Sequence, residues 1–159
     1  MNDPLIEVPD AVRPGPGLSP WTRRAASAMA EALFCTREGP PAPERLARLL
    51  EDLDDFTGRA GPQARRSLWL CLVAVSLLVP ILLRRFASFA SLPVDERVRG
   101  LAHMEASPLG VPFFGAKAIL CVVWYEQPES AAHAGYDAQC LTAVRRSKQG
   151  EALSPEVAR

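Results

Sequence analysis

Cysteine and histidine side chains, which ligate zinc, haem and iron–sulfur clusters, are few and widely separated in this chain. The cysteines and histidines are Cys35, Cys71, His103, Cys121, His133 and Cys140. No two cysteines share a C-x-x-C spacing, and zinc, c-type haem and compact iron–sulfur sites need closer ligands. Cys71 and Cys121 lie in apolar runs, where thiols behave as small hydrophobic groups. We therefore expect reduced thiols in a cytosolic protein and no bound metal, although the sequence leaves a disulfide open.

Sequence motifs for catalysis are missing as well. The chain has no G-x-G-x-x-G, P-loop, H-E-x-x-H or G-x-S-x-G pattern. The acidic cluster of Asp52, Asp54 and Asp55 is typical of a solvated helix end rather than a metal site. His103 and Met104 point about 100° apart on a helix and cannot both reach one iron, so we expect an ordinary, partly buried histidine. The sequence assigns no catalytic residue, and we expect no enzyme activity from this chain alone.

Lys117 is the single charge between Val111 and Tyr125. A lone ammonium on an apolar helix must extend to solvent or find a carboxylate or carbonyl partner. An intrachain ion pair or a side chain that extends to solvent is the ordinary interpretation, and an anchor at a partner interface is the alternative. A Schiff-base or general-base role is disfavoured because the sequence places no second catalytic group at a recognisable spacing from Lys117.

The charge balance excludes a nucleic-acid footprint. Lysines plus arginines number 18, as do aspartates plus glutamates, so the net charge is zero. The basic residues are scattered, and no aromatic residues form base-stacking platforms among them. We expect neither DNA nor RNA as a partner.

Helix signals predict an all-α domain between residues 18 and 137. Ser19 and Pro20 are typical of a helix start, and Trp21 begins a helical apolar pattern that continues to Leu33. Gly39-Pro40-Pro41 breaks the chain, Pro43 begins a second helix, and Gly58 is its predicted stop. Residues 1–17 are proline-rich and acidic, which indicates an extended or disordered arm.

Residues 67–83 form an uncharged segment bracketed by arginine pairs on both sides. A helix over these residues would be about 25 Å long at 1.5 Å per residue, at or below the length needed to cross a bilayer. Pro80 lies inside it, and the equal basic flanks give no orientation signal. The segment therefore predicts a helix buried on nearly all sides, with a membrane span as the alternative.

Three further helices are predicted after this segment. One begins at Leu92-Pro93 and carries an apolar stripe of Val94, Val98, Leu101 and Met104. The next, residues 109–126, is apolar around nearly its whole circumference. A short helix through 131–133 ends at Gly135, and residues 138–159 form a polar tail. The predicted fold is an irregular bundle of five or six helices.

Two nearly all-apolar helices exceed what a small bundle can cover. The surplus must face another protein, a membrane or a second copy. On the second of these helices, Phe113, Phe114, Trp124 and Tyr125 supply the largest contact areas. The sequence therefore predicts an interaction protein.

Three short pieces of sequence occur in a characteristic order. The first runs from Leu18-Ser19-Pro20 to Glu31-Ala32-Leu33-Phe34, and the second combines Arg84-Arg85-Phe86 with Leu92-Pro93 and Glu96-Arg97. The third runs from Phe114-Gly115-Ala116-Lys117-Ala118 through Trp124-Tyr125 and Pro128 to Ala134-Gly135-Tyr136-Asp137. Together they resemble the gluconate 2-dehydrogenase subunit 3 family, whose members accompany FAD-dependent glucose-methanol-choline oxidoreductases.

The resemblance implies a large flavoenzyme partner that oxidises an alcohol, sugar or similar hydroxyl group. FAD and the catalytic bases would belong to that partner, while this chain, without a cofactor, would support folding, stability or export. The resemblance also marks Lys117, Trp124, Tyr125, Gly135 and Tyr136 as packing or interface positions.

Members of this family often carry a twin-arginine export signal. Arg23-Arg24 is followed by a weakly apolar segment that contains Glu31, which favours an amphipathic helix over a signal. We therefore expect a cytoplasmic protein, with periplasmic export beside a partner as the alternative.

Overall fold

The computed structural model of the protein describes residues 17–133. It contains six α-helices and one 3-10 turn: α1 Pro20–Leu33, α2 Pro43–Arg59, α3 Gly61–Leu82, the turn Phe89–Ser91, α4 Val94–Glu105, α5 Gly110–Glu126 and α6 Pro128–His133. These residues form no β-strand, apart from an isolated bridge between Thr36 and Gly39. The predicted all-α bundle is confirmed. The expectations for residues 1–16, Gly135, Tyr136 and the tail lie outside the described residues.

The chain divides within α5, after Val123, into two compact units. The larger unit holds α1 to α4 and most of α5, and the smaller unit begins at Trp124 and includes α6. In the larger unit, α1 packs against α2, α3 and α4, and α3 also packs against α2 and α4.

Helix starts follow the local signals in the sequence. The Ser19 hydroxyl accepts a hydrogen bond from the Thr22 N–H at 3.1 Å, and Pro20 and Pro43 occupy first-turn positions where a missing N–H costs nothing. Gly58 was the predicted stop of α2. It instead lies buried inside the helix, which ends at Arg59. The left-handed backbone at this junction belongs to Gly61, whose φ is 85°.

The end of α3 has a non-glycine residue in the left-handed region. Arg84 has φ 54°. Its N–H donates to the Ile81 carbonyl at 3.0 Å, and the Arg85 N–H donates to the Pro80 carbonyl at 2.9 Å. This pair of hydrogen bonds is the Schellman motif that satisfies the last carbonyls of a helix. The cap fixes the direction in which the chain leaves α3.

Each long helix of the larger unit buries one apolar stripe at helical spacing. In α3 the buried residues are Leu68, Leu72, Val75, Val79 and Pro80. Alanines dominate the buried face of α1, around a fully buried Met29. Small side chains allow the helices to approach closely, most of all where Gly100 of α4 meets Val79 of α3.

One buried arginine joins α1 to α4. The Arg97 guanidinium donates to the Leu92 carbonyl at 3.0 Å, the Ala28 carbonyl at 2.6 Å and the Glu31 carboxylate at 2.6 Å. Its neighbour Glu96 accepts from Arg85. Glu31, Arg85, Glu96 and Arg97, which belong to the first and second of the three sequence pieces, are therefore charged residues that form ion pairs within the fold.

Arg23, the first of the twin arginines, also has a role in the fold. Its guanidinium lies 3.0 Å from the Asp54 carboxylate of α2. The same carboxylate accepts the Leu18 N–H, so it ties the start of α1 to α2. The amphipathic first helix predicted from the sequence is observed here.

Candidate partner-binding surfaces

Helix α5 presents an exposed apolar face, as its sequence predicts. Val111, Phe114 and Val122 are exposed at helical spacing, whereas Phe113 on the other face is almost fully buried. The predicted interface residues therefore separate into two groups. Phe114 and Tyr125 are exposed, and Phe113 and Trp124 are buried. Burial assigns Phe113 and Trp124 to packing, and Tyr136 lies outside the described residues.

Lys117 has its charge partner within the chain. Its ammonium lies 2.8 Å from the Glu105 carboxylate of α4 and 5.2 Å from the centre of the Phe113 ring. The side chains of Lys117 and Glu105 remain 34 % and 43 % exposed. The ordinary interpretation, an intrachain ion pair, is the one observed.

Replacing Lys117 with methionine should therefore have little effect. A solvent-exposed ion pair contributes at most about 1 kcal/mol, and a methionine stem can still cover Phe113. We expect the yield of any complex to stay at the wild-type level when the tagged variant is purified. Phe114→Asp on the same helix is the matched control, because it places a carboxylate on the exposed apolar face and should lower that yield. A large loss with Lys117→Met would instead place Lys117 in the interface.

Helix α3 differs from its prediction in both length and burial. It has 22 residues rather than 17, and one face remains uncovered. Leu70, Leu77 and Ile81 are 58 %, 60 % and 68 % exposed. Helices α1, α2 and α4 all contact α3, yet they bury just one stripe of it. The prediction of a helix buried on nearly all sides is therefore wrong.

A surface groove runs between α1, α3 and the chain segment 85–90. Its volume is about 540 Å³. The apolar walls include Val73, Leu77, Pro80, Ile81 and Phe89, and the arginines at its edges are Arg24 and Arg85. We call it the α1–α3 groove. Trp21 of α1 also lines the groove, and it meets Trp69 of α3 edge to face, with ring centroids 6.5 Å apart.

Phe86 is the most exposed large apolar side chain in the described part of the chain. It lines the α1–α3 groove two residues after the left-handed Arg84. The Schellman cap holds the backbone that carries it. A solvent-facing phenylalanine on a fixed backbone beside an apolar groove is typical of an interface residue.

The thiols of the larger unit behave as packing groups. Cys35, Cys71 and Cys121 are free. Burial raises the pKa of the Cys71 thiol, and it raises the pKa of Cys121 despite the opposing positive charge of Lys117. Both thiols are therefore protonated at neutral pH and poorly nucleophilic. Cys140 lies outside the described residues.

Other candidate ligands are dispersed. His103 is exposed rather than partly buried, while Met104 is fully buried, as expected for adjacent residues of one helix. Asp55 pairs with Arg59 one turn later at 2.7 Å, and Asp54 is engaged by Arg23. Within residues 17–133, no three His, Cys, Asp or Glu side chains form a group that could hold a metal ion.

The sequence placed its candidate interface residues on α5 and at Tyr136, and it assigned none on the exposed face of α3, nor Arg24 or Phe86. The uncharged run of residues 67–83 could have indicated the exposed face of α3. A helix over this run is apolar on every side, and three small helices cannot cover all of it. Within the described chain, α3 is the one helix that is by itself long and apolar enough to cross a membrane. Of its most apolar 18-residue window, 28 % is buried.

Known proteins give no further guidance on these surfaces. Comparison of the chain with protein-family models, with curated proteins and with solved structures finds no match.

Proposed function

We propose that this chain is a non-catalytic accessory subunit that binds and stabilises, or helps to mature, an FAD-dependent oxidoreductase acting on alcohols or sugars. The observation that carries the proposal is the uncovered face of α3. Leu70, Leu77 and Ile81 are mostly exposed along one helix, and the exposed face of α5 adds Val111, Phe114 and Val122. Exposed apolar side chains grouped along a helix face are typical of an interaction site.

Charge placement supports a protein partner. Helices α1, α2 and α4, which pack on the buried face of α3, carry the ion pairs Arg23–Asp54 and Arg97–Glu31. These charged groups hold the bundle together, and the apolar faces are left for an outside contact. The partner's class comes from the resemblance to the gluconate 2-dehydrogenase subunit 3 family, which implies that the flavin and catalytic bases reside in the larger subunit.

A membrane-associated anchor is the second candidate, and the length of α3 favours it. Its 22 residues would span about 33 Å at 1.5 Å per residue, enough to cross the hydrocarbon core. Crossing would, however, require α3 to leave its contacts with α2 and α4. Helix α2 alone carries Glu44, Glu51, Asp52, Asp54 and Asp55, which cannot enter hydrocarbon at acceptable cost. The contacts of α3 therefore favour the accessory subunit.

Affinity purification of the tagged full-length chain from its native host tests the proposal. We expect a large protein to co-purify at a fixed ratio, to release FAD on denaturation and to reduce a dye acceptor with alcohol or sugar substrates. Expressed alone, the chain should self-associate, because its apolar faces lack a cover. A co-purifying protein without flavin, or a stable monomer at high concentration, contradicts the proposal.

Cell fractionation separates the two candidates. A protein held by another soluble protein leaves the membrane pellet during a high-salt wash, whereas an inserted helix stays until detergent is added. We expect the chain in the soluble fraction together with the flavin. Retention in the washed membranes without flavin supports the anchor.

A further inference from the structure

We propose that the α1–α3 groove is the docking site for an acidic amphipathic helix of the partner subunit. The inference rests on the proposed function and makes it specific. Such a helix would place its apolar stripe between α1 and α3 and its carboxylates against Arg24 and Arg85. This is the helix-in-groove mode of recognition, in which apolar anchors recur at helical spacing.

The shape of the groove favours a helix over a small molecule. Sites for small ligands enclose most of the ligand surface. Here Leu77 and Ile81, which form one wall, keep 60 % and 68 % of their surface in water. A single acyl chain lying in the groove would leave much of its own surface exposed. A helix can cover both walls at once and also reach Leu70, which lies about two helical turns before Leu77 on α3.

Phe86 supplies the anchor at one end of the groove. Its ring is fully exposed. The Schellman cap around Arg84 fixes the backbone before it, so little backbone entropy is lost when a partner covers the ring. Phenylalanine and arginine are both enriched at the cores of protein interfaces. Phe86 and Arg85 are adjacent in the sequence and both line the groove.

The charge of the groove defines the partner helix. Arg24 and Arg85 lie at its edges, and among the described residues no Asp or Glu lines it. Arg85 already pairs with Glu96, whereas Arg24 is exposed on α1. Among the described residues, Glu96 therefore balances Arg85, and the excess positive charge of the groove lining comes from Arg24. It complements carboxylates that flank an apolar stripe and repels a basic helix.

Two matched peptides test the proposal on the full-length chain. Each is a helical peptide of about 18 residues with leucines at i, i+3, i+4 and i+7 spacing; one carries glutamates at the flanking positions and the other carries lysines. Fluorescence anisotropy of the labelled peptides measures both affinities. We expect the acidic peptide to bind at least about tenfold more tightly, which corresponds to 1.4 kcal/mol.

Charge reversal locates the binding site. Arg24→Glu should remove most of the preference for the acidic peptide, and Leu77→Ser should weaken both peptides. Arg37→Glu is the matched control, since it makes the same charge change at an exposed residue that does not line the groove. Circular dichroism verifies that each variant keeps its helices. Equal binding of the two peptides, or an equal effect of Arg24→Glu and Arg37→Glu, overturns the proposal.

Other occupants give different results. Displacement of the acidic peptide by laurate, but not by dodecanol, would identify an amphiphilic carboxylate as the ligand and overturn the helix proposal. A dimer that Leu77→Ser dissociates, with no binding of either peptide, would identify a second copy of the chain. Capture of an FAD-containing partner at wild-type yield by the Arg24→Glu, Leu77→Ser double variant would remove the groove assignment while leaving the proposed function intact.

Discussion

Replacing Arg97 with methionine should lower the free energy of unfolding by about 3 kcal/mol. Removing one partner of a buried ion pair costs roughly 3–5 kcal/mol, because the other partner is left without its counter-charge. The Arg97 side chain is 7 % exposed, whereas Glu31 is 31 % exposed. Water can partly solvate the remaining carboxylate, which puts the expected loss at the lower end of that range. Urea denaturation followed by far-ultraviolet circular dichroism measures the change.

Arg59→Met is the matched control for this variant. Arg59 pairs with Asp55 one turn earlier in α2, and the two side chains are 73 % and 56 % exposed. An exposed pair contributes at most about 1 kcal/mol, so the same chemical change should have a small effect there. Equal losses for the two variants would show that burial does not set the strength of these pairs.

The Glu31→Gln, Arg97→Met double variant isolates the ion pair. Glutamine can still fill the space of Glu31 but has no charge to leave unpaired. The double variant should therefore lose less stability than the sum of the two single variants, with a coupling of about 1–3 kcal/mol. Simple additivity would contradict the ion pair between Glu31 and Arg97. A loss below 1 kcal/mol for Arg97→Met would show that the guanidinium does not support the fold.

The burial of Arg97 could not be predicted from the sequence. Helical periodicity predicted α4 and assigned Val98 to its apolar stripe, but Val98 is 39 % exposed and Arg97 is buried in its place. A charged side chain normally faces solvent. This one is buried because it reaches acceptors on α1, 66 and 69 residues away in the sequence. No local pattern can reveal such a partner.

The first residues of several helices, in contrast, could be predicted from the sequence. Ser19 with Pro20 begins α1 and Pro43 begins α2, because capping and proline geometry depend on residues that are adjacent in the chain. The end of α3 was harder to predict, because Arg84 adopts the left-handed backbone conformation that a glycine usually has after a helix. Local chemistry thus predicted where most helices begin.

The uncovered apolar surface was predicted in kind but only partly in position. The sequence showed that two apolar helices exceed what the bundle can cover, and both have an exposed face. Which face stays exposed depends on how the neighbouring helices pack. That packing placed Phe113 inside and Phe114 outside, although both had been assigned to the interface. It also gave Lys117 a carboxylate on α4.

Gly100→Ala should destabilise the protein by about 1–3 kcal/mol, although alanine favours helices over glycine. A Cβ at position 100 would lie 2.3 Å from Val79 Cγ1 and 3.1 Å from Leu83 Cδ1. Val79 is fully buried in α3, and a β-branched side chain in a helix has one strongly preferred rotamer. The clash must therefore be relieved by separating α3 from α4. Thermal and urea denaturation measure the loss.

Gly115→Ala is the matched control for this variant. Its Cβ would lie 2.9 Å from the Cys71 sulfur. A thiol can rotate away more easily than a valine methyl group, so this change should cost less than Gly100→Ala. The order of the two losses tests whether rigidity of the neighbour, rather than closeness alone, sets the cost of crowding a helix contact.

Trimming the neighbour should rescue Gly100→Ala. Val79→Ala by itself removes buried methyl groups and leaves a cavity, which costs about 1–3 kcal/mol. In the Gly100→Ala background the same change makes room for the new Cβ, so the double variant should be more stable than the sum of the single losses predicts. Strict additivity would mean that residues 79 and 100 do not touch. In that case the close approach of α3 and α4, and with it the orientation of the uncovered face of α3, would have to be revised.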